Sequence, residues 1–199
     1  MSSVAKIKKK IIPPHLEVKG GRPLSGVLKV SGAKNSSLVL MAAALLTKEK
    51  ILIKNVPQLT DIEVMSEILR NLGAKLTKTN NSIEINSKSI HNAELPYQLV
   101  HSLRASFFCV GPLLTRLGEA KIPLPGGCNI GARPVDEHIN GLKALGAEVE
   151  VINDVVKAKV STKDKRLLGA NITLKYPSVG ATETILMASC LASGKTTIS

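Results

Sequence analysis

Aromatic side chains are almost missing from this sequence: it has two Phe, two Tyr and no Trp in 199 residues. Proteins that hold single-stranded nucleic acid stack bases on aromatic faces, so that class of function has almost no platform here. Long apolar runs are missing too. The longest, such as Leu38 to Leu46, are too short to cross a bilayer, and no membrane segment is expected. Met1 to Lys10 is basic, but no apolar stretch with a small-residue cleavage site follows it. A secretory leader is therefore not expected, and the cytoplasm is the default compartment. Three cysteines, Cys109, Cys128 and Cys190, form no C-x-x-C pair and make an odd number, as suits a reducing compartment. His15, His91, His101 and His138 have no metal-ligand spacing, so no metal is predicted.

What is abundant is positive charge, +12 in all. Clustered lysines attract phosphate backbones, which makes a basic nucleic-acid binder one alternative. The lysines are scattered rather than striped, however, and steering of small polyanionic substrates accounts for the charge equally well. No nucleic-acid partner is expected. Ser193-Gly194-Lys195-Thr196 has the ending of a phosphate-binding P-loop, but Ser189 stands where its first glycine belongs, and the stretch follows a helix instead of joining a strand to one. No nucleotide cofactor is predicted.

The most informative stretch is Pro125-Gly126-Gly127-Cys128-Asn129-Ile130-Gly131-Ala132-Arg133-Pro134-Val135-Asp136. Its glycines leave nothing bulky to shield the Cys128 sulfur. Pro134 has the fixed φ suited to a first helical position, and Val135, Ile139, Leu142 and Leu145 continue as one helix face. The loop thus runs into a helix N-terminus, where free N–H groups, the dipole and the Arg133 fork suit a phosphate or carboxylate and favour a thiolate. Cys109, beside Phe107 and Phe108, and Cys190, in an apolar helix, are expected in the core.

Along the chain, residues 1–14 read as a basic tail, and Leu16–Lys19 and Gly26–Val30 alternate like strands. Ser31-Gly32-Ala33-Lys34-Asn35 opens a helix with Leu38, Met41, Ala42, Leu45 and Leu46 on one face, placing Lys34 and Asn35 at its entrance. A strand at Ile51–Lys54 follows, then a helix opened by a Thr60/Glu63 capping box and stopped at Gly73, then a hairpin around Asn80-Asn81. The same order returns. Leu99–Leu114 is expected to be helical with a bend or an end at Gly111-Pro112, then come a strand at Ala120–Leu124, a helix from Val135 that stops at Gly146 and a hairpin around Asn153-Asp154. The stops Leu72-Gly73-Ala74 and Leu145-Gly146-Ala147 lie 73 positions apart. A third unit holds a strand at Ile172–Leu174, a helix over Ala181–Ala192 and a strand at Thr196–Ile198, but on this period its own Leu-Gly-Ala stop would fall beyond Ser199. The expected form is therefore two full repeats and part of a third.

At Ser31–Asn35, Leu103-Arg104-Ala105-Ser106, Pro125–Cys128 with Gly131–Asp136, and Ser178-Val179-Gly180-Ala181-Thr182, the sequence resembles the UDP-N-acetylglucosamine 1-carboxyvinyltransferase family, from about His15 to Ser199. The resemblance implies an α/β fold, the inside-out α/β barrel of the enolpyruvyl transferases, built from βαβαββ repeats with the third cut short. It implies three parts: the tail 1–14, N-terminal strands 15–33 that complete the other domain, and an incomplete catalytic-loop domain 34–199. It also implies transfer of the enolpyruvyl group of phosphoenolpyruvate to the 3′-hydroxyl of UDP-N-acetylglucosamine, the first committed step of peptidoglycan synthesis. Cys128 matches the catalytic general acid. Lys34, Asn35 and Arg133 match phosphoenolpyruvate contacts, and Arg104, Arg133, Pro134, Val135, Asp136, Glu137, Ser178 and Val179 match the sugar-nucleotide site. Tyr176 departs from the pattern, since many relatives carry a lysine there. The expected base for the sugar hydroxyl belongs to a complementary C-terminal half, so the chain is not expected to turn over alone. The alternatives are a non-catalytic sugar-nucleotide-binding fragment and a 3-phosphoshikimate carboxyvinyltransferase-like enzyme, against which the Cys128 loop argues.

Overall fold

A computed structural model describes residues 15–125, 134–162 and 164–199; the tail 1–14, Cys128 and Arg133 lie outside the described residues. The chain divides into two units, Met1–Val30 and Ser31–Ser199. In the first, residues 15–30 form no strand, contrary to the alternation of their side chains. Leu16, Val18, Leu24, Val27, Leu28 and Val30 are all largely exposed. A strand is stabilised by a paired neighbour and a covered face, and exposed apolar side chains such as these have no covered face.

The second unit repeats one topology. Its first part is α1 (Lys34–Ala43), which tightens into a 3-10 turn at Ala44–Leu46, then β1 (Lys50–Lys54), α2 (Thr60–Asn71), β2 (Lys75–Lys78) and β3 (Ser82–Asn86), with the sheet ordered β1-β3-β2. The second part runs through α3 (Tyr97–Ser102), a 3-10 helix (Arg104–Cys109), α4 (Val110–Leu117), β4 (Glu119–Pro123), α5 (Asp136–Ala144), β5 (Ala147–Ile152) and β6 (Val155–Val160), with the sheet ordered β4-β6-β5. The central strand of each sheet is antiparallel to both neighbours. The third part is β7 (Asn171–Ile172), α6 (Val179–Ser189) and β8 (Thr197–Ile198), a parallel pair joined through a helix. A parallel bridge between Glu94 and Lys121 opens the second part in the same way.

Apolar periodicity explains these elements. Leu38, Met41, Ala42 and Leu45 are buried on one face of α1, as are Ile62, Met65, Ile68 and Leu69 on α2. In β6 the buried Val156, Ala158 and Val160 alternate with exposed Lys157 and Lys159. Gly73 and Gly146, at φ +100° and +86°, end α2 and α5. Asn153 and Asp154 both have positive φ, which fits a two-residue hairpin turn, and the Asp154 carbonyl accepts a 2.6 Å bond from the Leu124 N–H where the chain leaves β4. Among the described residues, no helix is long and apolar enough to cross a membrane.

Several expectations need correction. Thr60 is the first residue of α2, not its cap; Leu59 occupies the cap position and makes no side-chain bond. The two acids of that first turn face lysines instead, Asp61 pairing with Lys34 and Glu63 with Lys78. The helical stretch over 99–114 breaks at Leu103, which is extended (φ −138°, ψ 100°), and not at Gly111-Pro112. Pro112 lies in the first turn of α4, where its missing N–H costs the helix little. Pro134 precedes the cap residue Val135, so it is not the first residue of α5. The third helix starts at Val179, two residues before the expected Ala181, because the Ser178 side chain accepts the Ala181 N–H and caps it. Cys109 is buried, and burial pushes its thiol up to about 12. Cys190 is exposed rather than core; it is the cap residue just after α6, where its thiol donates to the carbonyl of exposed Leu186 at 3.3 Å.

Two sets of contacts show how the parts are joined. Arg116 of α4 donates to the carbonyls of Leu45 (2.7 Å) and Thr47 (2.8 Å) and to that of Ser87 (3.3 Å), while the buried Ser87 hydroxyl bonds the Ala44 and Thr47 carbonyls. The carbonyls left open at the end of the α1 segment thus find donors in the next repeat. The other set is the crossing of α6 over α4 and α5. A methyl group on Gly111 would lie 2.8 Å from the Thr184 carbonyl oxygen and 3.0 Å from the Ala188 nitrogen, and at Gly141 the space is filled by Ile185. Backbone atoms cannot step aside as a side-chain tip can. Gly111→Ala is therefore expected to destabilise the protein by about 1–3 kcal/mol in denaturant titration, although alanine is the better helix former; an unchanged midpoint would show that the crossing has slack.

Candidate active site

The entrances of α1 and α6, the start of the 3-10 helix and the approach to α5 meet around one cleft of about 630 Å³. Lys34 and Asn35 reach it from α1, Asp61 from α2, Arg104 and Phe108 from the 3-10 helix, His138 from α5, and Tyr176, Ser178, Val179 and Glu183 from the α6 side. Of the residues singled out in the sequence, Lys34, Asn35, Arg104, Pro134, Val135, Ser178 and Val179 line this cleft. Pro125 and Pro134, the described neighbours of the Cys128 loop, line it too. Cys128 and Arg133 themselves lie outside the described residues.

Asp136 and Glu137 are not among the lining residues. Asp136 accepts a 2.6 Å hydrogen bond from the Tyr176 hydroxyl, which, together with backbone N–H groups and nearby Lys175, holds its carboxyl below the usual range. The same bond raises the Tyr176 phenol to about 12. Glu137 is buried, with one oxygen accepting the Lys175 N–H (2.8 Å) and the other the Asn140 side-chain amide (3.1 Å).

Lys34 begins α1, whose cap residue Ala33 makes no side-chain bond and whose first turn carries no acid. A cation is unfavourable at that end of a helix, and Asp61 offsets it from α2 through a 2.7 Å ion pair. The pair is partly exposed and contributes only about 0.2–1 kcal/mol, so an incoming anion can compete for Lys34. The uncapped N–H groups of α1 add to the same attraction. Near the α6 entrance, burial raises the Glu183 carboxyl above its ordinary value. The arrangement suits an anionic ligand with hydroxyl or amide groups to read.

His138 forms part of the cleft wall. Its Nδ1 lies 3.0 Å from the Thr184 hydroxyl, its ring meets Phe107 edge to face, and Gly180 lies close to its Cε1 and Nε2. Burial, assisted by the Arg104 charge and opposed by Asp136, lowers its pKa to about 4. Sequence spacing places His138 on the apolar stripe of α5, four residues before Leu142. It gives no sign of the part played by Asp61, whose partner lies 27 residues away.

Comparison with known proteins follows the same outline. Residues 18–199 match the family described as EPSP synthase (3-phosphoshikimate 1-carboxyvinyltransferase). The chain is 94% identical over 199 residues to a UDP-N-acetylglucosamine 1-carboxyvinyltransferase of Prochlorococcus marinus strain NATL2A, a match that covers all of this chain and 43% of that protein. It is 58% identical over 198 residues to the protein of the same name from strain MIT 9313, covering 46% of it. The chain thus spans less than half the length of these relatives. Among solved structures, the enolpyruvyl transferase NikO from Streptomyces tendae aligns with TM-score 0.71 at 25% identity, over 90% of this chain and 42% of that one. EPSP synthase from Acinetobacter baumannii aligns with TM-score 0.67 at 17% identity, over 87% and 40%. The fold is that of the enolpyruvyl transferases, with two α/β repeats and the opening strand, helix and strand of a third.

His138 links the site to pH. Its folded-state pKa, about 4, lies below the ordinary imidazole value of 6.5, so the unfolded chain takes up a proton more readily. Stability contributed by the neutral ring is present above pH 6.5 and lost as pH falls towards 4, by up to about 3 kcal/mol. The difference in unfolding free energy between the natural chain and His138→Gln is expected to shrink as pH falls through this window. A constant difference from pH 7 to pH 4 would show that the ring is not held neutral.

Proposed function

The chain belongs to the EPSP synthase family, and on that premise we propose that it supplies one wall of a carboxyvinyltransferase site that moves the enolpyruvyl group of phosphoenolpyruvate to the 3′-hydroxyl of UDP-N-acetylglucosamine, in peptidoglycan synthesis in the cytoplasm. The observation that carries this reading is the cleft, which gathers Lys34, Asn35, Arg104, Val135, Ser178 and Val179 from four separate stretches of chain around one space. The names of the relatives favour a sugar nucleotide over 3-phosphoshikimate as acceptor, as does the Cys128 loop.

Enolpyruvyl transfer has three requirements. A proton must reach the methylene carbon of phosphoenolpyruvate, the acceptor hydroxyl must lose its proton while its oxygen bonds to the adjacent carbon, and the C–O bond to phosphate must break with loss of a methyl proton to restore the double bond. Cys128 is the proposed general acid. Lys34 and Arg133 are the proposed cations for the phosphoenolpyruvate anion and the departing phosphate, with Asn35 beside them. Arg104, Pro134, Val135, Ser178 and Val179 face the sugar nucleotide, while Asp136 and Glu137 stand behind that wall. Residues 34–199 form the catalytic-loop domain in this reading, and residues 15–33 join the sheet of a complementary domain. That domain supplies the base for the acceptor hydroxyl and completes the closed site.

Phosphate release from phosphoenolpyruvate and UDP-N-acetylglucosamine tests the proposal. The chain alone is expected to be inactive and to gain activity when mixed with the C-terminal portion of a relative, an activity that Lys34→Ala reduces by about 100-fold or more. Failure to bind UDP-N-acetylglucosamine in either state would end the proposal. A second test uses a thiol-directed epoxide. Cys128 is expected to be alkylated faster than exposed Cys190, and Cys109 to stay unmodified because it is buried. Equal rates at Cys128 and Cys190 would show that exposure alone governs labelling and that no activating field acts on Cys128.

A further inference from the structure

The start of α5 and the segment entering α6 form two neighbouring stretches of the cleft wall, and consecutive residues on each side bond across the gap. The Lys175 N–H donates to Glu137 Oε2 at 2.8 Å, and the Tyr176 hydroxyl donates to Asp136 Oδ1 at 2.6 Å. Glu137 is only 2% exposed, and Asn140 one turn further along α5 donates to its second oxygen. A carboxylate is costly to bury unless its oxygens are satisfied, so this one commits its geometry to the Lys175 backbone. Two residues beyond Tyr176, Ser178 caps α6, and both Tyr176 and Ser178 line the cleft. Pro134 and Val135, immediately before Asp136, line it from the other side.

From this we infer that Glu137 and Tyr176 are positioning residues, a two-bond clamp that sets the Pro134-Val135 wall against the Ser178-Val179 wall and so fixes the width of the sugar-nucleotide side of the cleft. The role assigned to that side rests on the function proposed above; the clamp itself does not. Glu137 acts through the Lys175 backbone rather than by touching the ligand. Tyr176 acts through Asp136, and the titratable groups that act on or feel this pair are Lys175, Glu137 and His138.

Amide hydrogen exchange on the unliganded chain tests the clamp directly. Glu137→Ala is expected to speed exchange by about tenfold or more at residues 175–180 and in the first turn of α5, with the β-sheet amides unchanged. Glu137→Gln keeps an acceptor for the Lys175 N–H and is expected to restore much of that protection. Tyr176→Phe removes one exposed hydroxyl, which does not threaten folding, and is expected to move the Asp136 carboxyl titration upward in side-chain NMR. It therefore decides the question if Glu137→Ala does not fold. Unchanged local exchange in Glu137→Ala, uniform loss of protection across the chain, or an unmoved Asp136 titration in Tyr176→Phe would overturn the clamp. Titration with UDP-N-acetylglucosamine then separates the two ideas. Weaker binding that tracks the exchange rates in Ala and Gln supports positioning, whereas a loss in Glu137→Gln with exchange intact means that Glu137 contacts the ligand and the inference fails. Absence of binding by the unsubstituted chain would count against the proposed function, while the exchange and NMR results would still decide the clamp.

Discussion

Helix α6 is held between two glycines, Gly111 of α4 and Gly141 of α5, and the cleft depends on that fit. Close approach at Gly111 brings the Thr184 backbone against α4, and the Thr184 hydroxyl then meets His138 of α5. The His138 ring in turn packs on Phe107, three residues after Arg104. One backbone contact between helices is thereby passed, through a hydroxyl and two rings, to a side chain in the cleft wall. The interior is close-packed, so a displacement of α6 by an added methyl group would be felt at Ser178 and Val179 as well as at the crossing itself.

The electrostatics follow from the same arrangement. Helices α1 and α6 bring their N-terminal ends to the cleft, adding backbone N–H groups to the charges of Lys34 and Arg104. The carboxylates nearby serve different purposes. Asp61 neutralises Lys34 at the unfavourable end of α1, Asp136 is engaged by Tyr176, and Glu137 is buried with both oxygens bonded. These groups lower the attraction for an anion without abolishing it, because Asp136 and Glu137 do not line the cleft and the partly exposed Asp61 pair is weak. They orient cations and backbone, while the scattered excess of lysine draws polyanions from a distance.

Much of the architecture was legible because it is periodic. The spacing of Leu38, Met41 and Leu45, the alternation in β6 and the paired Leu-Gly-Ala stops each reflect a local rule that a short window of residues obeys. The errors fell where a distant partner outweighed a local signal. Thr60 and Glu63 have capping-box spacing, yet Lys78, from the neighbouring strand, takes Glu63. Gly111-Pro112 looks like a helix break, yet the glycine is needed for the α6 crossing and the proline falls where a helix tolerates it. Cys190 follows the apolar spacing of α6 but falls just past the helix end, where it is exposed. The alternating segment 16–30 has the side chains of a strand, yet among the described residues it forms none and its apolar side chains stay exposed.

The candidate site divides along the same line. Sequence alone determined which residue types were present to do chemistry, the thiol among glycines, Lys34 and Asn35 at a helix entrance and the Ser178 turn, because motif and capping chemistry act over a few neighbouring residues. Only the tertiary structure decided that Asp61 would face Lys34, that Glu137 would turn inward to the Lys175 backbone, and that Tyr176 would hold Asp136. Those outcomes depend on which helices touch, and that is set by volumes and backbone approaches between stretches of chain 27 to 40 residues apart, which no local pattern records.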